Sequence, residues 1–495
     1  MMRKLQTVFP FSRDSRIQDR ISTVFLGMIF GSLLLATVSC TRSVNPDIER
    51  GSGYDFRFGF PEIRASAIGL ITENGQPQIQ ISTDIVYSSL IYRTVNNRTF
   101  ANVLIEIEIL GADEGSTYSN RVQHALEIES VDQTIITTQD AFTFQRGLHV
   151  DPGNYSITIN VLDQSSGKAT ASEQTAFIPD PDEPVLNLTT IRLLGRSPIA
   201  QGGFEFLPVS TYDVPGRVDS LRFLLQVTNN LEESPLEIKS RLLRFVSDDS
   251  PARPMHFNNY GASTLAYKGI EYDRSETITE SVRELFTPGS VTIEYPIGRL
   301  LEGNYRFEVR AIREGMEEEI FKARDFSVKS RHYPAIQSAR ELAAPLYYLM
   351  DEKAYEALMS IQDEDSLKQA VDRFWLSNVQ SMSEARAVIE KYYQRVEEAN
   401  KQFSNFKEGW KTDIGMVYIL FGPPWYVERK LNMMLWSYAY DRSDPRYNFF
   451  FEQPKVKNEF FPFNNYLLER NQGYYNIYYQ QVQLWLTGQI IRRDL

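Results

Sequence analysis

Val103–Leu110 reads VLIEIEIL. Apolar side chains recur at every second position, with Glu106 and Glu108 between them. Successive side chains of an extended chain point to opposite faces, so this is the pattern of a strand buried on one face only. Upstream, Gln78–Ile85 (QIQISTDI) repeats it. Turn-forming residues separate such runs at Asn74-Gly75, at Asn96-Asn97 and from Gly111 through Gly115. Several short strands at this spacing predict an antiparallel sandwich over residues 54–178.

The pattern returns further along. Residues 151–159 read DPGNYSITI and residues 301–309 read LEGNYRFEV. Gly153-Asn154-Tyr155 thus matches Gly303-Asn304-Tyr305, each followed by a strand of the same phase. Leu221–Thr228 (LRFLLQVT) occupies in the second unit the place of VLIEIEIL in the first. A turn, a tyrosine and an alternating strand near the end of a unit resemble immunoglobulin-like or fibronectin-like sandwiches. The proline-rich stretch 178–184 (IPDPDEP) is stiff and cannot join a central strand, so a second sandwich is expected over 185–330. The pair serves either as binding modules or as a spacer.

Residues 335–403 change period. Ser381 and Glu384 fit a helix-capping box, and Ala385, Val388, Ile389, Tyr392, Tyr393, Val396, Ala399 and Phe403 follow at helical spacing. A preceding helix starts at Asp365 and turns Leu367, Val371, Phe374 and Trp375 inward, and Pro345 breaks or begins another near Leu346. These apolar faces need a partner, and residues 404–495 are the natural one.

That last stretch contains Gly409-Trp410-Lys411-Thr412-Asp413, then Met416–Leu420 (MVYIL), then Phe421-Gly422-Pro423-Pro424. GWKTD followed by FGPP resembles the GWxTD-domain proteins, a family found largely in the Bacteroidetes, whose members share this layout of export signal, β-sandwiches and helices. The resemblance implies no defined biochemical activity. Read physically, Gly409 permits a sharp turn and Gly415 a close backbone approach, while Thr412 and Asp413 bond nearby amides. Met416–Leu420 reads as a central strand ended by Gly422, Pro423 and Pro424. Met434–Tyr440 and Tyr447–Phe451 read as further strands, and Ile477–Thr487 as a helix or a strand, giving a small α+β domain over 404–495. GWKTD is then either a corner locking helix to sheet or a site in which Trp410 and Asp413 face a ligand.

At the other end, residues 1–23 are basic, and Val24–Val38 is an apolar run too short for a comfortable membrane span. A cut after Ser39 leaves Cys40, the chain's single cysteine, as the first mature residue. This resembles a bacterial lipoprotein signal over 1–39, which implies acylation of Cys40, export, and attachment to the outer membrane through a polar tether over 40–53. An uncleaved signal anchor is the alternative.

Bulk composition narrows the rest. The chain has 495 residues, 42% hydrophobic and 23% charged, with a net charge of −12. An acidic chain lacks the basic footprint of a nucleic-acid binder. One cysteine rules out an internal disulfide and a thiolate zinc site. The four histidines (His124, His149, His256 and His332) form no metal-ligand spacing, and none falls within 404–495. No glycine-rich phosphate loop occurs, and no cofactor is expected. The expectation is a non-enzymatic envelope protein that binds another envelope protein. One alternative is a glycan-binding lipoprotein, because Trp410, Trp425, Trp436 and Trp485 crowd the C-terminal region. The other is a carboxylate-dependent hydrolase, which would need two facing carboxylates in a deep cleft.

Overall fold

The structure is a computed structural model. It describes residues 45–51, 56–130, 141–182, 186–198, 203–230, 235–313, 319–379, 381–438, 448–456 and 458–492. The segment 1–39 expected to be a lipoprotein signal, and Cys40, lie outside the described residues. From Pro46 onward the chain forms one compact unit.

In chain order the strands of the first half are β1 (Ile48–Glu49), β2 (Ile63–Ile71), β3 (Pro77–Val86), β4 (Arg93–Val95), β5 (Arg98–Gly111), β6 (Ser119–Ser130), β7 (Ala141–His149), β8 (Gly153–Asp163) and β9 (Lys168–Ile178). β2, β3 and β7 make one antiparallel sheet; β4, β5, β6, β8 and β9 make another. Ile79 and Ile81 from the first sheet and Val103, Ile105, Ile107 and Ile109 from the second meet in a single core, all of them fully buried. VLIEIEIL is therefore the centre of β5, flanked by β6 and β8.

The second half of the β region comprises β10 (Leu186–Leu188), β11 (Arg192–Pro198), β12 (Phe204–Pro208), β13 (Asp213–Val214), β14 (Leu221–Asn229), β15 (Leu236–Ser247), β16 (Ile270–Leu285), β17 (Gly289–Ile297), β18 (Gly303–Ile312) and β19 (Ile320–Val328). Two sheets again share one core, in which Phe223 stacks on Phe307 with ring centroids 4.2 Å apart. The sequence repeat has a physical counterpart. The Tyr155 hydroxyl donates to the Asp151 carbonyl at 2.7 Å, and the Tyr305 hydroxyl donates to the Leu301 carbonyl at 2.8 Å. Each tyrosine thus bonds four residues back, across the turn that opens its strand.

Two expectations are corrected here. The stretch read as a free tether enters the fold: β1 pairs in parallel with β19 of the second sandwich, and Arg324 holds Glu49 at 3.0 Å. The loop between β15 and β16 also leaves its sandwich, carrying the short helix α1 (Leu265–Lys268) and placing Ala252 and Met255 in the C-terminal core.

That core is continuous across the expected boundary at 403/404. It gathers α2 (Ala339–Ala343), α3 (Glu352–Met359), α4 (Glu364–Asn378), α5 (Met382–Phe403), α6 (Asp413–Phe421) and α7 (Tyr474–Leu486) against a four-stranded antiparallel sheet. The sheet consists of β20 (Tyr426–Arg429), β21 (Met433–Ser437), β22 (Asn448–Glu452) and β23 (Leu467–Leu468). The α5 stripe behaves as its period demands, with Ala385, Val388, Tyr392, Val396 and Ala399 buried. Ser381 caps this helix through the Glu384 N–H. Met416–Leu420, expected as a strand, is the middle of α6. Every residue of α6 is buried, so the helix is apolar all round and carries no helical stripe for a sequence reading to detect. Ile477–Thr487 falls on α7, which ends at Leu486 with Thr487 as its cap. Among the described residues no helix is long and apolar enough to cross a membrane.

Candidate functional site

The GWKTD segment connects α5 to α6 in a single turn of 3₁₀-helix, Gly409–Lys411. Gly409 is required by close approach: a Cβ there would lie 1.9 Å from the Ala399 carbonyl oxygen on α5. Its N–H donates to Ser404 Oγ at 2.8 Å. Trp410 is 4% exposed and bonded on three sides. Its backbone N–H donates to Asn400 Oδ1 at 3.1 Å, its indole N–H to Glu408 Oε2 at 2.7 Å, and its carbonyl accepts from the Tyr348 hydroxyl at 2.7 Å.

Thr412 is the N-cap of α6. Its Oγ1 accepts from the Gly415 N–H at 3.0 Å and donates to the Gly409 carbonyl at 2.7 Å. Asp413 opens the helix, where a negative charge complements the unpaired N–H groups. It faces Arg470, which sequence reasoning missed. Arg470 donates to Asp413 Oδ2 at 2.6 Å through Nη1 and to Oδ1 at 2.7 Å through Nη2, and the Leu468 N–H adds a third bond at 2.6 Å. The side chains are 0% and 2% exposed. Burial alone pulls the Arg470 guanidinium down, and the Asp413 charge outweighs it. Arg470 also reaches the Arg253 carbonyl at 3.0 Å, so the pair ties α6 to the β15–β16 loop as well as to β23.

Other ties run the same way. Lys411 Nζ donates to Asp249 at 2.6 Å, and Lys407 bonds Asp248 within the fold. Glu408 Oε1 accepts from the Ser330 N–H at 2.9 Å. Burial would raise the Glu408 carboxyl, but Lys411 and the bonds from Ser330 and Trp410 hold it below its ordinary value. Burial likewise works against the Lys411 ammonium, and Glu408 and Asp249 together hold it above its ordinary value. At the far end of α6, Gly422 has φ +85°, and a Cβ there would meet the Arg395 guanidinium at 2.5 Å. Arg395 bonds the Ile419 carbonyl at 3.2 Å, complementing the negative end of the helix. Pro423 and Pro424 then lead out to β20, with Pro423 exposed.

The expected motif residues therefore come together, as a joint rather than an open pocket. The carboxylate of Asp413, the ammonium of Lys411 and the indole N–H of Trp410 each hold an internal partner. A cavity of about 670 Å³ flanks the joint and contains carboxylates, among them Glu302 and Glu408. Desolvation, reinforced by Glu408, holds the Glu302 carboxyl above its usual range. Both Glu408 oxygens already accept protein donors. Among the described residues no group of three or more His, Cys, Asp or Glu is placed to hold a metal ion.

One histidine from outside 404–495 is nevertheless brought against the C-terminal helices. His256, from the β15–β16 loop, packs against Tyr475 and Tyr478 of α7 at centroid distances of 5.1 and 5.5 Å. Trp410, Trp436 and Trp485 are buried, while Trp425 is 54% exposed. The tryptophan cluster is thus mainly core.

Residues 314–487 match the family described as the GWxTD domain. That range starts before β19 and ends at the cap of α7, so the last strand of the second sandwich and His332 belong to it. No curated protein matches the chain. Among solved structures it is similar to a transglutaminase from red sea bream, at 9% identity, over 54% of this chain and 31% of that one, with a TM-score of 0.16. It is also similar to Escherichia coli alpha-2-macroglobulin activated by porcine elastase, at 9% identity, over 74% and 36%, with a TM-score of 0.17. The chain thus spans about a third of each, and likeness at these scores carries no argument about fold or function.

Proposed function

We propose that this chain, which carries a GWxTD domain, is a non-enzymatic, lipid-anchored protein of the bacterial outer membrane that binds another envelope protein. The observation carrying this reading is the state of the motif. Its charged and polar groups are engaged inside the fold, where they join helices, sheet and the second sandwich into one body. Such a body suits presentation of surfaces more than chemistry. The two β units act as immunoglobulin- or fibronectin-like modules, a reading supported by their paired sheets and by the repeated Tyr155 and Tyr305 turns.

The anchor enters through Cys40. The first sandwich, with exposed apolar side chains at Leu110 and Phe177, is taken as the arm that meets a partner. Cys40→Ser, compared with the parent chain by fatty-acid labelling and membrane fractionation, tests the anchor. Loss of both label and membrane association is expected, and label persisting on the serine variant contradicts it. Photo-crosslinkers placed at Leu110 and Phe177, both exposed on the first sandwich, test the arm in intact cells. One recurrent envelope protein cross-linked from both positions supports the reading; cross-links from neither position oppose it.

A further inference from the structure

A separate cavity, of about 200 Å³, lies between the two sandwiches. At about 30 Å³ per water molecule, it has room for an ion or a short organic acid. One wall is the outer face of the β2–β3 pair, where Ser66 stands opposite Ser82 and Gln80 follows along β3 on the same face. The facing wall is β11. Leu193 of that strand enters the core of the second sandwich, so its neighbour Arg192 points the other way, into the cavity.

Three lining residues are charged: Glu49, Arg192 and Arg324. Arg324 is committed to the fold. It holds Glu49 at 3.0 Å and the Val209 and Thr211 carbonyls at 3.1 and 2.9 Å. That ion pair cancels, and Arg192 leaves the cavity with a net positive charge, in a chain whose net charge is −12. The Arg192 guanidinium makes no hydrogen bond, ion pair or ring contact among the described residues. Burial holds it below its ordinary value, and no neighbouring carboxylate offsets that pull. The side chains of Ser66, Ser82 and Gln80 are likewise without a partner among the described residues. The Arg324 Nε is sealed off, whereas the polar atoms of these four side chains remain accessible from the cavity. A half-buried cation without a counter-charge is costly, and a bound oxyanion supplies the counter-charge.

We propose that this cavity binds a small oxyanion, of the carboxylate or phosphate class, a ligand-binding function separate from the protein-binding role above. The guanidinium fork takes two oxygens side by side. The Ser66 and Ser82 hydroxyls and the Gln80 amide N–H groups donate to the same anion.

The test uses the full-length chain, with acetate and inorganic phosphate as probes at an ionic strength held constant with sodium chloride. Acetate is followed by proton saturation transfer and phosphate by phosphorus line broadening, so the two arms separate an organic acid from the inorganic ion. Saturable binding of at least one probe is expected, weakened about tenfold or more in Arg192→Gln. The melting temperature of ligand-free Arg192→Gln is expected to equal or exceed that of the parent chain, because no bond of the folded protein is lost. The proposal is overturned if neither probe binds the parent chain or if Arg192→Gln binds as the parent does. It is also overturned if ligand-free Arg192→Gln melts well below the parent, which would make the guanidinium a strut of the fold.

Discussion

Trp410 is engaged at its amide, its carbonyl and its indole nitrogen, through Asn400, Tyr348 and Glu408. Trp410→Ala deletes a buried ring at the centre of the joint and is expected to cost about 3–5 kcal/mol in urea denaturation. Trp410→Phe retains most of the ring but leaves Glu408 short of one donor, for about 1–3 kcal/mol. The ionisable residues beside it set a pH dependence. The Glu408 carboxyl lies below its ordinary value in the folded chain, so its stabilisation is present at neutral pH. That contribution fades as pH falls below the usual glutamate range, about 4.3, through the depressed folded value. Lys411 lies above its ordinary value, so its contribution is complete below about 10.4 and is lost as pH rises through the higher folded value. Thermal melts from pH 7 down to pH 3 should fall less steeply in Glu408→Gln than in the parent chain. Equal slopes would remove Glu408 from the account.

At the scale of elements, α6 is decisive. Its cap, Thr412, bonds both Gly415 and Gly409, so Thr412→Val is expected to cost about 0.5–2 kcal/mol, read by thermal melting. A strand in place of the helix predicts no such cost, because a strand has no N-cap. This is also where sequence and structure part. Thr412-Asp413 carried a helix-start signal, but nine residues buried on every side show neither helical nor strand period. The alternating strands of the first sandwich and the α5 stripe were legible because each has one wet face, which writes the period into the sequence. The GNY repeat was legible because both tyrosines make the same bond. Arg470 was not: a lone arginine 57 positions from Asp413 has no local pattern that announces a partner. The insertion of Ala252 and Met255 was equally silent, since a loop's destination depends on packing rather than on its own period.

The whole molecule is organised around that joint. The sequence pattern ends the second sandwich at 330 and begins the helices at 335. The β15–β16 loop crosses that boundary, and Lys407–Asp248, Lys411–Asp249 and Arg470–Arg253 bridge it. Residues 335–495 alone would lack Ala252 and Met255 from their core, so that fragment is expected to melt without cooperativity, while residues 186–492 melt in one transition by circular dichroism. A cooperative, parent-like melt of 335–495 would restore the boundary. The central claim is that GWKTD is a structural joint, with the Asp413–Arg470 pair at its heart. Removing one partner of a buried ion pair strands the other charge, a loss of about 3–5 kcal/mol. Equilibrium urea denaturation of Asp413→Ala in the full-length chain measures it directly. A loss of that size is the predicted result, and a curve superimposable on that of the parent chain would contradict it and return the motif to the status of an open site.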